Sequence, residues 1–186
     1  MQAKLVAKKY NSVSFQIAVA AIFAALVAVA TLTFFIPIPV TGGYFNFGDT
    51  LIYVAALLFG PFAGLFAGMG AAIADVVVAP QYVLVTFVVK TIEGCLVGLF
   101  MKLFLSKIKS FTLCSVFAVL IGGFEMVLGY FVYESFLNGR AVALLEVPVN
   151  VVQMLFGLVI AVPIMHAVLH VFPRFKNYLY GEVCVK

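Results

Sequence analysis

Long apolar runs separated by short polar breaks dominate the chain, with six such segments at about residues 14–36, 49–59, 62–78, 83–104, 111–136 and 147–172. Four of these reach roughly 20 residues or more, the length an α-helix needs to cross a hydrocarbon layer about 30 Å thick. The second and third are short, and Gly60-Pro61 between them predicts a tight turn, since Pro fixes φ and Gly permits unusual backbone angles. Segments that short must tilt, lie partly at the interface, or end in loops that fold into protein rather than lipid. The pattern predicts an all-α integral membrane protein: one membrane domain over residues 1–186, with six transmembrane helices and both termini on the same side.

Composition agrees, because 66% hydrophobic against 10% charged residues and a mean hydropathy of +1.24 exceed what a soluble core of 186 residues can hide. Lys4, Lys8 and Lys9 before the first segment, with Ala28-Val29-Ala30 inside it, resemble a secretory signal and its cleavage site. The apolar run continues past that site and is long enough to span, so it reads as the first helix. Lys4, Lys8, Lys9, Lys102, Lys107, Lys109, Arg174, Lys176 and Lys186 all fall on one face of this topology, which the positive-inside rule makes cytoplasmic. The net charge of +4 therefore reflects topology and calls for no nucleic-acid partner. The other face carries longer connections, at about residues 37–48 and 137–147, which are expected to form loops over the bundle. Cys95, Cys114 and Cys184 are scattered, without metal-ligand spacing or an evident disulfide partner.

Polar residues inside the apolar segments are the informative exceptions. Lys90 and Glu93, three residues apart, share one helix face, where they either form an ion pair between packed helices or line a polar pocket. Asn46 and Asp49 are placed to cap the second helix or to meet a ligand, with Tyr53 one turn further on. Glu125, Tyr130, Tyr133 and Glu134 draw a polar stripe along the fifth segment, in which Glu125 could pair with Lys90, contact a ligand or carry a proton. Asn150 and Gln153 after Pro148 must point inward, toward a ligand or another helix, because unpaired amides in lipid are costly. Asp75 reads as structural. His166 and His170 have a spacing that could bring two imidazoles to one metal, yet no third ligand accompanies them and no metal site is assigned.

Small residues form a second pattern. Ala20, Ala24 and Ala28 give the first helix a smooth side suited to close approach of another helix, within the bundle or from a different protein. Gly60, Gly64 and Gly68 form a similar track, as do Gly94 and Gly98. An enzyme is not expected, since no Gly-x-Ser-x-Gly or His-Glu-x-x-His is present. A Gly-x-x-x-x-Gly-Lys-Ser/Thr phosphate loop is also missing, so ATP hydrolysis would have to occur in separate subunits.

The run Gly43-Tyr44-Phe45-Asn46-Phe47-Gly48-Asp49, then Tyr53 to Pro61 and Gly64, then Lys90-Thr91-Ile92-Glu93-Gly94, resembles the signature of S components. These are the substrate-binding membrane subunits of energy-coupling factor (ECF) vitamin transporters, and the resemblance is to the riboflavin-type branch. It covers about residues 18–103 in motif and the whole chain in topology. It implies a multi-pass protein of a prokaryotic plasma membrane that captures a vitamin and works with a transmembrane coupling protein and two cytosolic ATPases, itself holding no cofactor. It further implies a pocket opening outward, for which Asn46, Tyr53, Lys90, Glu93, Glu125, Tyr130, Asn150 and Gln153 are the candidates. Ala20, Ala24 and Ala28 would be the docking face for the coupling protein. Riboflavin, pyridoxine or a related pyrimidine, and cobalamin are all substrates within this broad family. A solitary vitamin carrier and a non-transport membrane scaffold are the other readings of the same chain.

Overall fold

A computed structural model describes residues 13–108 and 110–172. The helices are α1 (Val13–Thr33), α2 (Gly48–Phe59), α3 (Pro61–Val78), α4 (Val83–Leu105), α5 (Phe111–Leu137) and α6 (Arg140–Val171). Five of them are long and apolar enough to cross a membrane; α2, with 12 residues, is shorter. Large apolar side chains face outward, Leu84 and Phe136 being 82% and 88% exposed, whereas charged Lys90 and Glu93, 1% and 0% exposed, sit inside a largely apolar core. That arrangement places the outer faces in lipid and reserves the interior for the costly polar groups. The chain is therefore a multi-pass membrane protein. Lys4, Lys8, Lys9, Lys109, Arg174, Lys176, Lys186 and Cys184 lie outside the described residues.

Glycine sets the closest helix contact. A Cβ on Gly64 would collide with the backbone carbonyl of Gly94, and one on Gly68 with that of Lys90, so α3 and α4 meet backbone to backbone. Small-xxx-small tracks produce this approach in membranes, where dispersion and not hydrophobicity drives association. Gly60, with φ of 86°, turns the chain from α2 into α3 ahead of Pro61 at the first helical position. Lys102 from α4 packs across this turn.

Two expectations about the connections are corrected. The stretch between α1 and α2 is an antiparallel hairpin, β1 (Phe35–Ile38) and β2 (Gly43–Asn46), with Phe35 opposite Asn46 and Ile38 opposite Gly43. Pro37 is tolerated because a two-stranded ribbon leaves one side of each strand without a ladder partner. The expected loop over residues 137–147 is mostly helix: α6 begins at Arg140 and only Asn138-Gly139 connects it to α5. With 32 residues, α6 is about 48 Å long and extends well beyond one bilayer thickness.

Of the two readings of the Ala20, Ala24 and Ala28 face, the contacts within the chain are those of packing against the bundle. Ala20 and Ala28 are 3% and 9% exposed, and the Ala24 backbone lies against Gly70 of α3, so this stripe is spent on packing within the bundle. The small residues that α1 leaves outward are Ser14, Ala18, Ala21 and Ala25, with exposed Ile17, Ile22 and Leu26 among them.

Candidate functional site

Antiparallel threading brings the start of α2, the end of α3, the start of α4, the end of α5 and the start of α6 to one end of the bundle, beneath the hairpin. Most of the buried polar residues collect there. Lys90, on the third turn of α4, donates to Asp49 Oδ1 at 2.5 Å and stands 3.1 Å from Glu93 Oε2. Gln153 of α6 donates Nε2 to Asp49 Oδ2 at 2.8 Å, while its Oε1 accepts the Asn46 backbone N–H at 2.7 Å. Tyr53 closes the chain of contacts by donating to Glu93 Oε1 at 2.7 Å. Four elements are thereby pinned to one ammonium group. Asn46, not Asp49, satisfies the free amide at the α2 start, its Oδ1 accepting the Gly48 N–H at 2.7 Å. Asp49 instead serves the ion pair, a role that a local capping argument misses.

Above this network lies a cavity of about 30 Å³ under the hairpin. Of the sequence-predicted residues, Asn46, Lys90, Tyr130, Asn150 and Gln153 line it. Tyr53, Glu93 and Glu125 do not. Tyr53 and Glu93 are fully buried behind the cavity, Tyr53 wedged against Gly157 and Gly123. Glu125 is half-buried on α5, its Oε2 enclosed without a hydrogen-bond partner. The lining also contains residues not assigned to a site from sequence: Tyr44, Asp75, Tyr82, Thr86, Glu134 and Glu146. The Asn150 side chain, 6% exposed, borders the cavity and makes no hydrogen bond among the described residues.

The hairpin is tied down over the cavity by side chains from four elements. Thr41 donates its hydroxyl to Glu146 of α6, and Gly43 packs directly on the same carboxylate. The Thr41 carbonyl accepts from Tyr82 at 3.1 Å and from Asn138 Nδ2 at 3.2 Å, and Gln81 donates to the Gly42 carbonyl at 3.2 Å. Tyr44 donates to Asp75 of α3. Burial holds the Tyr44 phenol well above its usual range, which keeps it protonated for that bond. Phe45 and Phe47 pack edge-on against Phe156 of α6, with centroids 5.8 and 5.0 Å away. The neutral contacts are worth about 1 kcal/mol each, and the bonds to Glu146 and Asp75 more, about 1.5–3 kcal/mol if those carboxylates are charged.

The fold is that of a multi-pass membrane bundle with a cavity beneath its hairpin. A profile of the family described as "ECF-type riboflavin transporter, S component" matches residues 12–170, and the chain belongs to that family. A Pyrococcus woesei protein named "Uncharacterized protein in gap 3'region" is 40% identical over 135 residues, covering 72% of this chain and 88% of that protein. The chain is thus a transport subunit of the S-component type, with no catalytic role of its own.

Proposed function

We propose that this protein is the substrate-specific subunit of an ECF importer in a prokaryotic plasma membrane. It captures a water-soluble vitamin beneath the hairpin and delivers it inward with a coupling protein and two cytosolic ATPases. The observation that carries this reading is the cavity beneath the hairpin, bordered by aromatic rings and by an Asn150 amide with no hydrogen-bond partner among the described residues. Vitamin-sized ligands fill roughly 300–1,000 Å³. The cavity of about 30 Å³ enlarges to that size when the hairpin swings away from Glu146, Gln81 and Tyr82. Exposed Lys102 and Lys107 at the opposite end support an outward-facing hairpin. The outward Ala21 and Ala25 surface of α1 offers a coupling protein the close approach first expected of Ala20, Ala24 and Ala28.

Asn150→Ala is expected to weaken vitamin binding roughly five- to tenfold, the worth of about 1–1.4 kcal/mol for one hydrogen bond. Its melting temperature should stay unchanged, because Asn150 has no internal hydrogen bond to lose. Glu125→Ala, off the cavity, is expected to leave affinity within about twofold of wild type. Calorimetric titration of both variants checks this, and an unaffected Asn150→Ala would move the site elsewhere. Coupling is tested by copurification from the native membrane. A coupling protein and ATPases should accompany the tagged chain; a chain that binds vitamin but purifies alone would be a solitary carrier.

A further inference from the structure

We infer that the end of the cavity between Glu134 and Glu146 is a subsite for an ammonium group, so the ligand carries a protonated primary amine on its ring system. This rests on the substrate-binding reading above and narrows its chemistry. Three carboxylates border the cavity in addition to the Lys90 cluster: Asp75, Glu134 and Glu146, which are 1%, 1% and 2% exposed. A buried carboxylate keeps its charge only when it is paired with, or bound to, a cation, and otherwise takes up a proton. Both ion pairs among the described residues belong to Lys90, whose partners are Asp49 and Glu93. Among the described residues, no cation forms an ion pair with the other three.

The hydrogen bonds divide these three further. Asp75 accepts from Tyr44 and Glu146 Oε2 accepts from Thr41, whereas Glu134 Oε1 lies 3.3 Å from the Tyr82 hydroxyl and competes for its one hydrogen with the nearer Thr41 carbonyl. Glu134 Oε2 is enclosed with no hydrogen-bond partner at all. The Glu134–Glu146 end of the cavity offers carboxylate acceptors, one of them without any hydrogen-bond partner, and such an end suits a donor-rich, positive group. An ammonium head supplies three N–H donors in a volume close to that of one water. A metal ion fits the residues less well, since no group of three His, Cys, Asp or Glu side chains is close enough to hold one among the described residues. Tyr82 and Tyr130, whose ring centroids lie 6.3 Å apart, border the same space and supply apolar faces for the ring that bears the amine.

Pyridoxamine and pyridoxine share one ring and differ by an amine against a hydroxyl, which makes them the matched probes. Titration of each into the purified full chain at neutral pH should show pyridoxamine binding roughly tenfold or more tightly, the gap between a charged and a neutral hydrogen bond. Glu134→Gln keeps the side chain's shape and the acceptor for Tyr82, and Glu146→Gln keeps the acceptor for Thr41. Each is expected to pull the affinity ratio toward one. Equal affinities in the wild type, or a preference that survives both substitutions, would overturn the ammonium subsite. Tight riboflavin binding with neither probe bound would overturn it too, while leaving vitamin capture intact. Failure to bind these three and every other vitamin tried would overturn vitamin capture itself.

Discussion

Replacing Lys90 with methionine is expected to remove about 3–5 kcal/mol of stability, the cost of breaking a buried ion pair by deleting one partner. Lys90 is 1% exposed and is the cation for both Asp49 and Glu93, so the substitution leaves two carboxylates without a counter-charge in a dry interior. It also releases the start of α2, because Asp49 ties Lys90 to Gln153 and, through it, to the Asn46 backbone. In detergent the melting temperature should fall by roughly 10 °C, at about 2–4 °C per kcal/mol for a chain of this size. Adding Asp49→Asn to Lys90→Met should recover part of that loss by removing one of the stranded charges while keeping an acceptor for Gln153. A shift of less than about 2 °C in the single variant would mean that the pair does not hold these helices together.

Gly68→Val is expected to be nearly as damaging, for a reason unrelated to charge. A Cβ at this position would overlap the Lys90 carbonyl, which belongs to a helix backbone and cannot swing aside as a side chain can. The helices α3 and α4 would have to separate, shifting the residue that anchors the ion-pair network. Overpacking of a close interior costs about 1–3 kcal/mol, occasionally more, and a branched side chain against backbone belongs at the upper end. The expected readout is a melting temperature lower by roughly 5–10 °C together with weakened vitamin binding. Gly139→Ala provides the contrast in space alone: nothing lies within 4 Å of its Cβ position, so its effect is confined to the strain of its φ of 86°. Equal stability of Gly68→Val and wild type would rule out the backbone-to-backbone crossing.

The apolar segments were legible because every span is uniformly hydrophobic over a length that only a membrane accommodates. The early start of α6 was not, since Arg140, Glu146 and Pro148 interrupt the apolar pattern. Yet Arg, Ala, Leu and Glu are strong helix formers, and the Arg140–Glu146 stretch is built mainly from them. The hairpin was hidden by Pro37 and Pro39, which read as loop although the turn glycines Gly42 and Gly43 and the alternating aromatics follow them. At the site, the Lys90 and Glu93 pairing could be anticipated from spacing along one helix. The assignment of Asp49 to Lys90 could not, because the residues lie 41 positions apart and local rules favour a cap. Glu134, Glu146 and Asp75 likewise read as charges near helix ends. Only the packing of α3, α5 and α6 reveals that they share one cavity.

Capture of a vitamin is tested most directly by purifying the full chain in mild detergent, denaturing it and identifying the released small molecule by mass spectrometry, followed by titration of the emptied protein with a panel of vitamins. One vitamin recovered at near-equal stoichiometry, and rebound tightly, is the expected result. A protein that comes off the column empty and ignores every vitamin in the panel would contradict substrate capture and leave the buried charges with a purely structural role.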